Sequence, residues 1–145
     1  MAGPAASWNT IVALRARDLD YLGHVTSSVY LGLLEEARVE WLSPAFPEDR
    51  KPTYVVAKQE ITFHREILPI DGPVRISIRA EVVDETRYRV FEQISGNTGH
   101  LHASSIALLV AWDRDRRRPR QLSTAEREFV SRHPTDCADR RSASS

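Results

Sequence analysis

Two aspartates separated by one residue, Asp18 and Asp20, lie in a loop that leads into the only long helix predicted from this sequence. In an extended chain, side chains two residues apart point to the same side, so both carboxylates are expected to face one space. Gly23 allows a backbone turn close behind them that most residues would resist. Two acids in such a loop are candidates for nucleophilic or acid–base chemistry.

The start of the helix supplies the other half of a possible site. Its first N–H groups have no partner within the helix, and they lie at the positive end of the helix dipole. They therefore suit a carbonyl oxygen that becomes negative during a reaction. A carboxylate beside such a position is an arrangement that acyl transfer can use. The alternative is that both acids only stabilise the N-terminus of the helix.

The helix itself is predicted from capping residues and an apolar stripe. Three hydroxyl residues in a row, at 26–28, are candidate N-caps. Pro44 ends the pattern. Between them, apolar residues recur at the spacing of a helix that is buried on one face. These residues are Tyr30, Leu33, Leu34, Ala37 and Trp41.

Alternating apolar and polar residues predict the strands that surround this helix. A first strand is expected at 10–16, and four more at 55–64, 74–82, 88–95 and 102–112. A short closing helix is expected at 123–132, where Ser123 and Glu126 form a capping box. The fold class is therefore α+β, with a curled antiparallel five-stranded sheet around one central helix. A second copy of the chain would cover the open edges of such a sheet.

Composition limits the classes of function. The 145 residues predict a single domain at 8–133 between flexible polar tails at 1–7 and 134–145. The 20 basic and 20 acidic residues balance, which argues against a general nucleic-acid binder. Cys137 is the only cysteine, and the histidines show no metal-ligand spacing, so no metal site is expected. Without an export signal or a membrane-spanning segment, the expected compartment is the cytoplasm.

The segment DLDYLGHVTSSVY at 18–30, followed by EEAR at 35–38, resembles the signature of hotdog-fold acyl-CoA thioesterases of the 4-hydroxybenzoyl-CoA thioesterase type. That family reads approximately D-x-D-x-x-G-H-V-N-N-x-x-Y, with E-x-A-R on the helix. The resemblance covers about residues 9–122 in the family's order of elements. It departs from the family where N-N is usual, because Thr26 and Ser27 stand there.

The resemblance implies a hotdog dimer, often paired into a tetramer, with active sites at the dimer interface. It implies hydrolysis of an acyl-CoA or acyl-carrier-protein thioester without a metal or cofactor. The catalytic carboxylate falls on Asp20, which either attacks the carbonyl to form a mixed anhydride or activates water. A backbone N–H at or beside Ser27 would polarise the thioester carbonyl, while the Ser27 hydroxyl either donates a hydrogen bond or caps the helix. His24 either orients Asp20 or a water, or is satisfied by the loop backbone.

The remaining site predictions concern substrate binding. Gly23, Thr26 and Tyr30 are expected to line the acyl site. Arg116 and Arg118 belong to a basic turn that either holds the phosphates of coenzyme A or an acidic carrier protein, or is simply solvated.

Three charged residues near the site are expected to be structural. Asp18 is expected to bond the loop backbone or an arginine such as Arg17. Glu35 and Arg38 are expected to form a buried or interfacial ion pair; the alternative is that Glu35 is the nucleophile, as a helix glutamate is in some other hotdog thioesterases. The competing functions are a non-catalytic acyl-thioester binding module and a hotdog hydratase or dehydratase.

Overall fold

A computed structural model describes residues 7–132 of the chain. The expected tails lie outside the described residues apart from Ser7, and so does Cys137. The elements in chain order are β1 (Trp8–Val12), α1 (Ser27–Leu42), β2 (Tyr54–Phe63), β3 (Val74–Val82), β4 (Arg87–Ser95), β5 (Leu101–Asp113), β6 (Arg118–Pro119) and α2 (Thr124–Val130).

The long strands form one antiparallel sheet in the order β1-β3-β4-β5-β2, and the short β6 pairs with β5. This arrangement confirms the predicted curled sheet around one long helix. The first strand begins and ends earlier than predicted, because its register with β3 ends where Val12 meets Val74, the first residue of β3. The chain then enters a 3₁₀ turn at Ala16–Asp18 instead of extending the strand.

The apolar stripe of α1 packs against the concave face of the sheet. All five predicted stripe residues are buried, and the facing side chains of β3 alternate in and out as the strand period requires. At about 1.5–3 kcal/mol for each large apolar side chain that leaves water, this contact is the main stabilising layer of the domain. Trp41 closes the far end, with ring centroids 5.7 Å from Phe129 and 6.5 Å from Tyr88.

A buried ion pair lies inside this layer. Arg38 Nε and Nη2 donate to the two carboxylate oxygens of Glu92 on β4, at 2.6 and 2.8 Å, and both residues are 1% exposed. The prediction that Arg38 pairs with Glu35 is wrong. Arg38 follows Leu34 by one helical turn and lies on the buried side of α1, whereas Glu35 is exposed.

Replacing one partner of this pair should destabilise the domain, because it leaves the other group buried without a counter-charge. We expect Glu92→Gln to lower the free energy of unfolding by about 3 kcal/mol, and the double replacement Arg38→Met with Glu92→Leu to recover most of that loss. Urea denaturation measures both. Exposed Glu128→Gln is the control and should change stability by less than about 0.5 kcal/mol. A loss for Glu92→Gln as small as that of the control would contradict the prediction.

Candidate active site

The loop before α1 folds into a small closed turn. Leu19 and Val25 form an isolated antiparallel bridge, and the Asp20 N–H donates to the His24 carbonyl at 2.9 Å. The Gly23 N–H donates back to the Asp20 carbonyl at 3.0 Å, and Gly23 has φ +81°. This conformation favours glycine and brings the side chains of Asp20 and His24 to the same side of the turn.

The Asp20 carboxylate is held by two donors. Its Oδ1 accepts from the Leu22 N–H at 2.8 Å, and its Oδ2 lies 3.0 Å from His24 Nε2. The side chain remains 23% exposed, so the carboxylate is oriented and still accessible.

The prediction that both aspartates face one space is wrong. Asp18 ends the 3₁₀ turn and is buried, with its Oδ2 accepting from the Arg15 N–H at 2.8 Å and its Oδ1 lying 3.4 Å from Arg15 Nη2. Its partner is therefore Arg15 rather than Arg17. Because the chain is coiled at Asp18 and extended only afterwards, the two carboxylates point to different sides. Of the two carboxylates, only that of Asp20 remains partly exposed.

His24 connects the loop to a distant part of the chain. Its Nδ1 lies 3.0 Å from Oε1 of Glu66, a residue three positions after β2, while its Nε2 faces Asp20. The hydrogen bond with Glu66, supported by the negative charge of Asp20, raises the pKa of His24. Sequence reasoning missed Glu66, because 42 residues separate it from His24 and no spacing pattern links the two.

Helix α1 begins beside this pair. Thr26 is the N-cap residue but makes no side-chain capping bond, and its carbonyl accepts from the Val29 N–H at 2.9 Å. Within residues 7–132, the N–H groups of Ser27 and Ser28 have no hydrogen-bond acceptor. Ser27 is exposed and is the first helical residue, so it does not cap the helix as one sequence interpretation proposed. Its N–H points out of the helix end, free to bind an oxygen.

An open cleft of about 420 Å³ joins these groups. Tyr30 forms part of its wall and packs edge-on against Phe63, with ring centroids 4.9 Å apart. Burial raises the pKa of the Tyr30 phenol, which keeps it neutral. The cleft is lined by Asp20, His24, Val25, Thr26, Ser27, Tyr30, Phe63, His64, Arg65 and Glu66. Five of the predicted site residues are therefore brought together here, and Gly23 shapes the loop that carries two of them.

The two predicted phosphate-binding arginines are elsewhere. Arg116 and Arg118 belong to the turn after β5, where Asp113 Oδ1 accepts from the Arg116 N–H at 3.0 Å. That turn lies at the Tyr54 end of β2, whereas the cleft lies at its Phe63 end. Over the ten residues of β2, a rise of about 3.3 Å per residue separates the two ends by roughly 30 Å.

From residue 7 to residue 132, no group of three or more His, Cys, Asp or Glu side chains is placed to hold a metal ion. None of the helices in this range has the length and apolar character to cross a membrane.

The fold and this site define a hotdog-fold enzyme domain, and comparison with known proteins gives its family. The family model of the thioesterase-like superfamily matches residues 14–131, so the chain belongs to that superfamily. No curated protein matches the sequence.

Three solved structures are similar to this chain in fold. A thioesterase from Thermus thermophilus, solved with coenzyme A and zinc, is 28% identical with TM-score 0.76 and covers 90% of this chain and 96% of its own. A probable thioesterase from Escherichia coli is 22% identical with TM-score 0.71 over 88% and 98% of the two chains. A 1,4-dihydroxy-2-naphthoyl-CoA thioesterase from Synechocystis is 16% identical with TM-score 0.74 over 86% and 95%. The chain is a thioester hydrolase by family and fold.

The conformation of Gly23 can be tested with a matched pair of substitutions. A Cβ at Gly23 or at Gly32, which lies within α1, meets nothing within 4 Å, so neither change causes a clash. Gly23→Ala must hold a positive φ and should lower the free energy of unfolding by about 1 kcal/mol. Gly32→Ala should raise it by up to about 1 kcal/mol, because alanine is the better helix former. Urea denaturation of the two variants should therefore give opposite signs, and equal signs would contradict this account.

Proposed function

We propose that this chain hydrolyses an acyl thioester of coenzyme A or of acyl carrier protein, with Asp20 as nucleophile or general base. One observation carries the proposal. The Asp20 carboxylate, fixed by Leu22 and His24, opens into the same cleft as the N-terminus of α1, which has unpartnered N–H groups at Ser27 and Ser28. A thioester carbonyl in this cleft would meet a negative oxygen on one side and N–H donors on the other.

The reaction proceeds through a tetrahedral intermediate. An oxygen of Asp20, or a water that gives its proton to Asp20, bonds to the carbonyl carbon, and the carbonyl oxygen becomes negative. The N–H of Ser27, at the positive end of the helix dipole, stabilises that charge. When the carbonyl re-forms, the C–S bond breaks and the thiol leaves. In the first route water then cleaves the mixed anhydride, and in both routes the acid is released.

The lining of the cleft supports the proposed binding of an acyl thioester. Thr26 and Tyr30 line it together with Phe63, and Gly23 leaves the loop without a side chain at its turn. Polar groups at the helix end and aromatic rings at the wall suit a thioester carbonyl followed by an apolar acyl group. Coenzyme A is the favoured carrier, because the Thermus thermophilus relative was solved with it.

A second copy of the chain would complete the site. Strand β2 is the last in the sheet order and is largely exposed, so its ten residues present an unpaired edge. Antiparallel pairing of two such edges would bring the Tyr54 end of one copy beside the Phe63 end of the other. The basic turn with Arg116 and Arg118 would then lie near the cleft of the other copy, where guanidinium groups can bind phosphates. We therefore include a homodimer in the proposal, which two such dimers could extend to a tetramer.

Removal of the Asp20 negative charge should abolish most of the activity. We expect Asp20→Asn, which keeps the shape and the oxygen that accepts from Leu22, to lower kcat/KM about 100-fold or more. The assay is thiol release from aromatic and medium- to long-chain acyl-CoAs and from acyl carrier protein thioesters. Glu128→Gln is the control and should leave the rate unchanged.

Two results would contradict parts of this proposal. A variant without Asp20 that retains the wild-type rate would exclude Asp20 as the reacting group and leave the enzyme class intact. If the wild type releases no thiol from either carrier, the chain is better explained as an acyl-thioester binding module or a hotdog hydratase or dehydratase.

The proposed dimer can be tested by charge exchange on the β2 edge. Lys58 and Glu60 lie two residues apart on its exposed face, so pairing centred on Gln59 would set each lysine opposite the glutamate of the other copy. Glu60→Lys should then weaken the dimer about tenfold, because like charges meet on both sides of the symmetry axis. The exchanged variant, Lys58→Glu with Glu60→Lys, should restore it. Sedimentation equilibrium measures the dimer Kd, and a wild type that sediments as a monomer would contradict the prediction.

A further inference from the structure

The His24 ring lies between two groups that can only accept hydrogen bonds when ionised. Nε2 is 3.0 Å from Asp20 Oδ2, and Nδ1 is 3.0 Å from Glu66 Oε1. A neutral imidazole has one N–H and one bare nitrogen, so it can satisfy only one of these carboxylates. The geometry at both nitrogens is therefore that of an imidazolium, in which each nitrogen donates.

We propose that Glu66 is a positioning residue of this site, which accepts the Nδ1 proton of His24 and thereby keeps the ring doubly protonated with Nε2–H directed at Asp20. This inference rests on the proposed function, because it describes how a group outside the loop prepares the Asp20–His24 pair. Glu66 belongs neither to the loop that carries Asp20 and His24 nor to α1.

The backbone holds Glu66 in place although its side chain is 57% exposed. His102 on β5 is completely buried, and its Nδ1 lies 2.9 Å from the Glu66 carbonyl oxygen, to which it donates. The next carbonyl, of Ile67, accepts from the Val25 N–H at 2.8 Å. The backbone of Glu66 is therefore fixed between the sheet and the loop that carries Asp20 and His24, and only its side chain is free to move.

A doubly protonated His24 would serve the reaction in a definite way. When the C–S bond breaks, the sulfur leaves with the bonding electron pair and needs one proton, which Nε2–H can supply. On the water route, Asp20 has taken one proton from water, and the 3.0 Å contact lets this proton return to Nε2. On the mixed-anhydride route, the water that cleaves the anhydride gives its proton to Nε2. On either route the products are one carboxylic acid and one thiol, and both side chains regain their starting states.

The charges around His24 give the direction of the pH dependence. Asp20 faces the ring from its own loop and Glu66 from the segment after β2, while His64, Arg65 and Tyr30 line the same cleft. The hydrogen bond to Glu66 is the largest cause of the raised pKa of His24. A raised pKa keeps the proton on the ring to higher pH, and the interaction is lost as the pH rises through that value. Without the Glu66 charge, this loss should occur at lower pH.

Titration of His24 by NMR, without substrate, tests the inference directly. The ring signals are assigned by their disappearance in His24→Gln. We expect the titration midpoint of His24 to fall in Glu66→Gln, which keeps an acceptor oxygen but removes the charge, and to stay unchanged in Glu128→Gln. An unchanged midpoint in a folded Glu66→Gln protein would overturn the proposal. If that variant does not fold, the Glu66 carboxyl ¹³C signal of the wild type must shift at the His24 midpoint, and its failure to do so would equally overturn it.

Kinetics separates positioning from a merely structural role. In Glu66→Gln we expect kcat/KM to fall about tenfold, less than in Asp20→Asn, with the alkaline limb of its pH profile displaced to lower pH. A fall of the same size at every pH would indicate only structural damage and contradict the proposal. Because the NMR titration needs no turnover, a protein that hydrolyses no thioester would refute the proposed function without affecting the His24–Glu66 result.

Discussion

The packing of α1 against the concave face of the sheet is the constraint on which the site depends. The apolar stripe is buried along the full length of the helix, and the Arg38–Glu92 pair fixes its rotation and its position along the sheet. A helix that rotated or slid by one turn would separate this pair and leave two charges buried without partners. The position of the first N–H groups of α1 is therefore determined by contacts inside the core, and not by the cleft that Ser27 lines.

The sheet also decides what lies opposite the helix end. The chain leaves β2 at Phe63 and passes under the loop that carries Asp20 and His24, where the Ile67 carbonyl accepts from the Val25 N–H. Three separate parts of the sequence thus meet at one point: the loop with Asp20 and His24, the start of α1, and the segment with Glu66. The turn at Gly23 is needed because the loop must reverse its direction between the sheet and the helix.

Local periodicity in the sequence was sufficient to predict the long helix and the strands. The stripe from Tyr30 to Trp41 and the alternation in 74–82 predict the helix and strands within a few residues, because burial on one face imposes a fixed spacing. Partners distant in the chain were not predictable. Arg38 pairs with Glu92 and His24 with Glu66, which are brought close only by the sheet register. The prediction that Asp18 and Asp20 share a common face was wrong because it assumed an extended chain where a 3₁₀ turn occurs.

The open cleft and the unpaired edge of β2 meet at one residue and are both exposed in a single copy of the chain. Phe63, which is half exposed, ends the β2 edge and also forms a wall of the cleft against Tyr30. An apolar ring in that position loses contact with water only if something covers both the edge and the cleft mouth. Since antiparallel pairing along β2 would add chain beside Phe63, the surface that would close the sheet would also cover the mouth of the cleft. In the proposed dimer, association and catalysis would therefore use the same few residues at the end of one strand.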